Sequence, residues 1–474
     1  MGAVDLYFEG MLTTDGQTVP VSVRHASRYS LWLRFDGKRP KEESATYTKL
    51  ALQVDGKLVE TGPCLVMEES EEKADEFRAV PLRSIYDFEK LFFRSRADVL
   101  ESAAVNLPLI LSYKRRIEPT FVKFVSELTY DLSAHKAVFD EIDANVRDEP
   151  PHVRDTLQSG IIGSLGGRFL DYLDGRHETL KQITGVFSDE QHEHHGFYFR
   201  KQLWNIILCA PIMARTNLKP RGYIGDSEMM RMIYQEDYQG DTTFGKIMHK
   251  HAVGQPAAQA VRNRRLDLAE ILRGFMRERL DRASGEPQPI KVLSVACGPA
   301  MELNEIIQSD KDCRMLHYSL LDQDRHALLE AAAVVEQIEQ RYGTELDTDF
   351  IKESVRTVLV TRELQARWGR FDFIYSMGLF DYLTKPVAVA VLKKLYDLLL
   401  PGGQMIIGNF STENPTSIYM AYWMDWTIIY RTVSEMQELI ADLDDAAATV
   451  QRDATGIQLF LRIQKPARHG ANHG

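Results

Sequence analysis

Only four of the 474 residues are cysteine: Cys64, Cys209, Cys297 and Cys313. They lie far apart and none has Cys-x-x-Cys spacing. That excludes a disulfide framework and a zinc knuckle and reads as reduced thiols. No apolar run approaches the ~20 residues that a membrane-spanning helix needs. The start, Met1-Gly-Ala-Val-Asp-Leu-Tyr, has neither the basic lead nor the apolar core of a secretory signal, so the cytoplasm is the expected compartment. Positive charge is short too: 57 Lys and Arg stand against 68 Asp and Glu, a net charge of −11. Phosphate backbones call for a basic footprint, so nucleic acid is not an expected partner. The cluster His192-Glu193-His194-His195 lacks the i, i+4 histidine pair of a helical zinc site, and no metal is expected. Repeats and low-complexity tracts are absent as well.

What is present falls into three regimes, and a chain of this length calls for two or three domains. Residues 1–82 alternate apolar and polar: Val19, Val21, Val23; Tyr29, Leu31, Leu33, Phe35; Leu50, Leu52, Val54. Turn signals sit at Asp36-Gly37 and Asp55-Gly56. Short alternating runs with such turns predict antiparallel strands and a small β-barrel. Residues 83–280 shift to helical period, as in Leu91-Phe-Phe, Leu107–Leu111 and Phe121–Leu128, with glycine pauses at Gly160, Gly163, Gly166 and Gly167. This predicts a helical domain. Residues 281–289 are a linker by composition, and an α/β domain over 285–468 follows.

In that domain an apolar strand, Ile290–Val295, runs into a small-residue turn, Ala296-Cys-Gly298-Pro-Ala300, and a helix-like stretch, Met301–Gln308. Further strands are expected at Leu316–Leu321, closed by Asp322, at Val355–Thr361, at Phe371–Ser376, and at Gln404–Phe410 after Pro401-Gly402-Gly403. A strand, a small-residue turn, a helix and a second strand ending in acid is how parallel sheets hold an adenosine. The small residues let the chain approach the ligand, and the helix start offers free N–H groups. Asp324 is placed to cap the helix beginning Arg325-His326.

The run resembles class I S-adenosylmethionine-dependent methyltransferases over residues 285–468. The implied fold is multidomain α/β: a small N-terminal β-barrel, a helical middle domain and a C-terminal Rossmann-like methyltransferase domain. The resemblance implies S-adenosylmethionine as cofactor. Ala296, Gly298 and Ala300 stand where the family has three glycines, and Ser294 where it has an acid. Asp322 would take the ribose hydroxyls, and Arg362 and Glu363 would border the adenine. Ser376 and Tyr382 would border the methionine part and the reacting methyl, with Asp381 beside them.

A second block, Lys219-Pro-Arg-Gly-Tyr223-Ile-Gly-Asp226 through Arg262 and Arg265, resembles bacterial methyltransferases of 3-hydroxypalmitic acid methyl ester biosynthesis. The likeness extends to Asp425-Trp426-Thr-Ile-Ile-Tyr-Arg431. Those proteins are associated with a fatty-acid methyl ester signal. Gly222 and Gly225 allow turns that would carry Tyr223 and Asp226 on a lid. Asp226 would bind the methionine ammonium, cap the helix from Ser227, or both. Arg262 or Arg265 would hold the methionine carboxylate through a planar fork. Tyr223, Asp226 and Tyr382 are the candidate catalytic residues. Asn409, Tyr419, Trp423 and Trp426, with Tyr422 and Tyr430, form an aromatic-rich segment that can line an apolar acceptor pocket or pack as core.

The first region resembles a PilZ barrel around Arg24-His25-Ala-Ser27-Arg-Tyr-Ser30. His25 and Ser30 replace the motif's acid and glycine, and no Arg-x-x-x-Arg precedes it. This argues against cyclic-di-GMP and for a scaffold or dimerisation role, so a homodimer is compatible with the sequence. The implied activity is methylation of a small-molecule acid, a fatty or 3-hydroxy fatty acid, to its methyl ester. A carboxylate acceptor needs no base, and no residue declares itself as one. Alternatives are an N- or O-methyltransferase of another small intermediate and a non-catalytic sensor of a cofactor or nucleotide.

Overall fold

The computed structural model describes residues 4–14, 17–26, 31–35, 44–54, 57–68, 77–81, 116–281, 288–443 and 446–467. The first six strands are β1 (Val4–Thr14), β2 (Gln17–Ala26), β3 (Leu31–Phe35), β4 (Ser44–Val54), β5 (Lys57–Glu68) and β6 (Phe77–Pro81). They close into a barrel in the order β1-β2-β3-β6-β5-β4, every described pair antiparallel. The alternation dictates this: Val21, Val23, Leu31, Leu33, Leu50 and Leu52 all point inward and are buried. Closure leaves no unpaired sheet edge. His25 lies in β2, whereas Ser27 to Ser30 and both Asp-Gly turns lie outside the described residues.

Helices occupy the next region from residue 119. Helix α1 (Pro119–Asn145) has proline at its start and buries Phe121, Val125, Leu128 and Leu132, one stripe of helical period. Helices α2 (Gly167–Thr184) and α3 (Asp189–Gln202) pack on it, the latter opened by a capping box from Ser188 and Gln191. The glycine-rich stretch Ile162–Gly166 forms a π-helical turn leading into α2. Helices α4 (Ser227–Gln235), α5 (Thr243–Val253) and α6 (Pro256–Asp281) complete what the site uses. Leu91-Phe-Phe and Leu107–Leu111 lie outside the described residues.

The last region is a seven-stranded sheet: β7 (Ile290–Val295), β8 (Leu316–Asp322), β9 (Thr348–Lys352), β10 (Phe371–Ser376), β11 (Leu399–Phe410), β12 (Ala447–Arg452) and β13 (Gln458–Gln464). Their order is β12-β13-β11-β10-β7-β8-β9. β7 to β11 are parallel, and β13 enters antiparallel between β11 and β12. Both faces are covered over the central strands, so β7, β8 and β10 are buried almost throughout, while the edges β9 and β12 are largely exposed. Leu268, Leu272 and Phe275 of α6 pack on one face against Val292, Phe373 and Ile406. Leu293, Ile374 and Ile407 meet Val387, Val391 and Leu395 on the other. Chain direction across the sheet reverses between β7 and β10, and the carboxyl ends of those two strands are where such sheets bind ligands.

One expected strand is corrected. Val355–Val360 is a short helix, and the third strand is Thr348–Lys352, paired with β8 from Tyr318 to Asp322. A short apolar run cannot distinguish helix from strand by itself. Here only Val358 of the helix is buried, and the true strand is an edge that needs little apolar content. Arg362 and Glu363 therefore follow a helix, and Glu353 follows the strand, its N–H donating to the Asp322 carbonyl at 3.1 Å. The helix after β7 is also shorter than expected, Leu303–Ile306.

Candidate functional site

The turn after β7 keeps a glycine-type backbone without the glycines. Ala296, Gly298 and Ala300 all adopt left-handed φ, at 55°, 57° and 50°. Two alanines in that region cost roughly 1–2 kcal/mol each, a strain retained only where the surroundings impose it. A Cβ placed on Gly298 would meet no protein atom within 4 Å. The turn thus presents bare backbone to open space at the strand ends.

Asp322 ties that turn to β8. Its carboxylate accepts from Gly298 N at 2.9 Å and Asp324 N at 2.8 Å. It is buried, and burial pushes its pKa up against the pull of those backbone N–H groups. The Gln323 N–H bears on it as well, and of the roughly four lone-pair sites of a carboxylate about one is left over. Asp324 caps helix α7 (Arg325–Tyr342) by accepting from His326 N, as its position implied.

The segment from Lys219 to Asp226 is anchored to groups beyond β8 and beyond β10. Tyr223 Oη donates to Asp324 at 2.8 Å, and Arg221 pairs with Asp324 at 2.9 Å and with Glu330 of α7 at 3.1 Å. At the other end Gly225 lies against Tyr382, beyond β10. β8 and β10 flank β7 in the sheet. Asp226 is buried, caps α4 by accepting from Met229 N at 2.9 Å, and holds Arg215 Nε at 2.7 Å. Burial is the largest cause raising the Tyr223 pKa, with its bond to Asp324 next. Its hydroxyl therefore stays protonated and acts as a donor. Gly225 has φ of +80°, and a Cβ there would come within 2.6 Å of Tyr382 Oη. Gly225→Ala is expected to cost roughly 1–3 kcal/mol in denaturant unfolding. The Tyr382→Phe background should restore part of that loss.

Beyond β10 a short turn, Phe380–Tyr382, carries two of the expected residues. Tyr382 Oη accepts from Trp426 Nε1 at 3.0 Å, and burial pushes its pKa up. Asp381 is buried and accepts from Phe410 N at 2.7 Å. Burial raises its carboxyl to about 7, against that N–H and the charges of Arg264 and Arg431. The folded protein thus binds this proton more tightly than the unfolded chain, whose Asp titrates near ~3.9. Its contribution to stability falls as pH rises from about 4 to about 7 and is level above that. Asp381→Asn should lose less melting temperature than the wild type between those limits. Equal losses would show that Asp381 does not titrate there. Asn409 is fully buried and donates to the Ile429 carbonyl at 2.9 Å, while its Oδ1 accepts from Arg431.

The aromatic segment packs as core. Helix α8 (Ser417–Trp423) buries Tyr419, Tyr422 and Trp423 in the helical core, where Trp423 meets Phe199 edge-on at 4.9 Å. Tyr419 and Trp426 also line a narrow cavity of about 10 Å³, with Ile212, Ile233, Phe410 and Met424 around it. Tyr419 Oη contacts His251 Nδ1 at 2.9 Å, and His251 Nε2 contacts Asp174 at 2.9 Å. His251 is buried but Asp174 is exposed, so the chain links a buried hydroxyl to solvent. Nothing in the sequence brings residues 174, 251 and 419 together.

Ser376 is the last residue of β10. Ser376 Oγ is buried and donates to the Val295 carbonyl at 2.8 Å. Arg262 donates to the Val253 carbonyl at 2.8 Å and pairs with Glu236 at 3.3 Å. Arg265 pairs with Glu305 at 3.4 Å. It is Arg264, between them, that reaches the exit of β10. His195 is buried, accepting from Glu118 N and bonded to the Gln191 carbonyl. Among the described residues no group of three His, Cys, Asp or Glu could hold a metal ion. Nor, among them, is any helix long and apolar enough to cross a membrane.

The sheet order, parallel from β9 to β11 with an antiparallel strand beside β11 and helices on both faces, is Rossmann-like. No protein-family model matches the chain, and no curated protein does. Solved structures do resemble it in part. A Bordetella parapertussis protein described as a possible exported protein is 16% identical over 51% of this chain and 80% of its own, with a TM-score of 0.39. Magnesium protoporphyrin IX methyltransferase from Synechocystis, with bound S-adenosylmethionine, is 9% identical over 44% and 83%, at 0.30. A methyltransferase of Methanosarcina mazei is 14% identical over 38% and 94%, at 0.28.

Proposed function

We propose that the protein is an S-adenosylmethionine-dependent methyltransferase that converts the carboxylate of a fatty or 3-hydroxy fatty acid to its methyl ester. The observation that carries the cofactor reading is the left-handed turn of Ala296, Gly298 and Ala300, open in front of Gly298 and tied to Asp322 at the end of β8. In this reading the turn accepts the nucleoside closely and the free lone pair of Asp322 takes a ribose hydroxyl. Asp226 keeps the Tyr223 segment in place through Arg215 and α4. S-adenosylmethionine supplies a methyl already activated on a sulfonium. The protein's part is then to align the acceptor and exclude water. Tyr223 and Tyr382 remain protonated donors and cannot serve as bases, which suits an acceptor that is already anionic. The N-terminal barrel would serve as scaffold or dimerisation unit.

One observation favours a second reading. In the chain Asp174–His251–Tyr419, burial keeps the Tyr419 hydroxyl protonated, so it would take a proton from a hydroxyl acceptor only while passing its own to His251. Purified protein incubated with S-adenosylmethionine and a panel of fatty acids, 3-hydroxy fatty acids and matching alcohols decides between them by product mass. Alkaline hydrolysis removes a methyl ester and leaves a methyl ether. Ester formation that survives His251→Asn supports the first reading. Ether formation lost in that variant supports the second. Cofactor binding without any product would make the protein a sensor.

A further inference from the structure

Three arginines lie close together on α6, and two have carboxylate partners: Arg262 with Glu236 and Arg265 with Glu305. Arg264 has none at ion-pair distance among the described residues, although it is only 8% exposed. Its guanidinium donates to the Met377 carbonyl at 3.2 Å and touches Met230 Sδ at 3.4 Å, and its Nε has no partner. The acids nearest in charge, Glu302 and Asp381, are directed elsewhere: Glu302 accepts from Tyr375 Oη and Asp381 from Phe410 N. A guanidinium cannot shed its proton, and burying it costs several kcal/mol unless an opposite charge compensates. One carbonyl, one thioether and the neutral Tyr234 hydroxyl bring no opposite charge into contact with it.

The position of this charge is informative. Met377 directly follows β10, and Gly378 leaves the guanidinium room, its hypothetical Cβ lying 3.4 Å from Nη2. This is the strand exit at which the sheet reverses order, beside the β7 turn.

We propose that Arg264 is the residue that binds a ligand carboxylate at the exit of β10, by a two-nitrogen fork. This rests on the methyltransferase reading, in which two carboxylates reach the cleft: that of the cofactor's methionine part and that of the acceptor acid. The fork is the same for both, and the test separates them.

Calorimetry on the full-length protein would use S-adenosylhomocysteine and 5′-methylthioadenosine, which shares the nucleoside and sulfur but lacks the carboxylate. If Arg264 holds the cofactor, Arg264→Met loses at least about tenfold in S-adenosylhomocysteine affinity, and methylthioadenosine binding stays within about twofold. If it holds the acceptor, both affinities stay, and KM for the fatty acid rises at least about tenfold with kcat little changed. Either result supports the proposal; no change in either quantity overturns it. Without ligand, Arg264→Met should melt no lower than the wild type, because it removes an uncompensated buried charge. A guanidinium needed only for folding would give a lower melting temperature. Should Arg264→Met fail to fold, Arg264→Lys keeps the charge but not the fork. An intermediate loss supports the proposal, and wild-type binding by that variant overturns it. If the wild type itself binds neither nucleoside, the methyltransferase reading falls and takes this proposal with it, an outcome distinct from failure in the variant alone.

Discussion

Gly298→Val is expected to lower S-adenosylmethionine affinity on the order of a hundredfold or more, about 2.7 kcal/mol, while the protein remains folded. The two halves of this expectation have separate causes. A Cβ at residue 298 meets no protein atom within 4 Å, so the branch clashes with nothing in the folded chain. What it fills is the space in front of the strand ends, where a nucleoside must approach the backbone. The folding cost is then the left-handed φ of 57°, roughly 1–2 kcal/mol, similar to what Ala296 and Ala300 already bear. Calorimetry with S-adenosylmethionine, paired with a thermal melt, reads both. Normal binding by a folded valine variant would remove the turn from the cofactor site. Gly298→Ala should fall between, since a methyl occupies less of the same space.

The second large effect is expected at Asp322. Replacing it with alanine removes the acceptor for two backbone N–H groups, Gly298 and Asp324, and the lone pair left for a ribose. Loss of hydrogen bonds to a charged group predicts about 1.5–3 kcal/mol in cofactor affinity, tenfold or somewhat more than a hundredfold. The turn itself should also loosen, because Gly298 N and Asp324 N lose their partner. Asp322→Asn separates the two contributions. It retains one carbonyl oxygen and the side-chain shape but replaces the other acceptor by a donor. Binding should still suffer while the melting temperature recovers part of the loss. If alanine leaves affinity unchanged in calorimetry, Asp322 serves only to brace the turn.

Much of the fold was legible in the chain because it is written locally. Barrel strands follow from alternation at Val21, Val23, Leu31 and Leu33, a period that only a pleated strand puts on one face. The caps at Asp324 and Asp226 follow from a short acceptor side chain at a helix start, whose own N–H groups lie two or three residues on. Asp322 was placed by ending a strand in acid. Alanine at 296 and 300 gives no sequence signal of a left-handed backbone. Only the coordinates show alanine held at φ near +50° there.

Sequence alone therefore determined the three architectural regimes, the strand–turn–helix at residue 290 onward, and the acid beside it, since each depends on neighbours within a few positions. Tertiary structure decided the rest. It chose Thr348–Lys352 over Val355–Val360 as the third strand, because pairing with β8 outweighs local apolarity at a sheet edge. It brought Tyr223 to Asp324 across 101 residues and His251 to Tyr419 across 168. And of three arginines on one helix it turned Arg264 toward the β10 exit, with no carboxylate to meet it. That outcome depends on how α6 lies on the sheet, and no local pattern encodes the angle at which two elements pack.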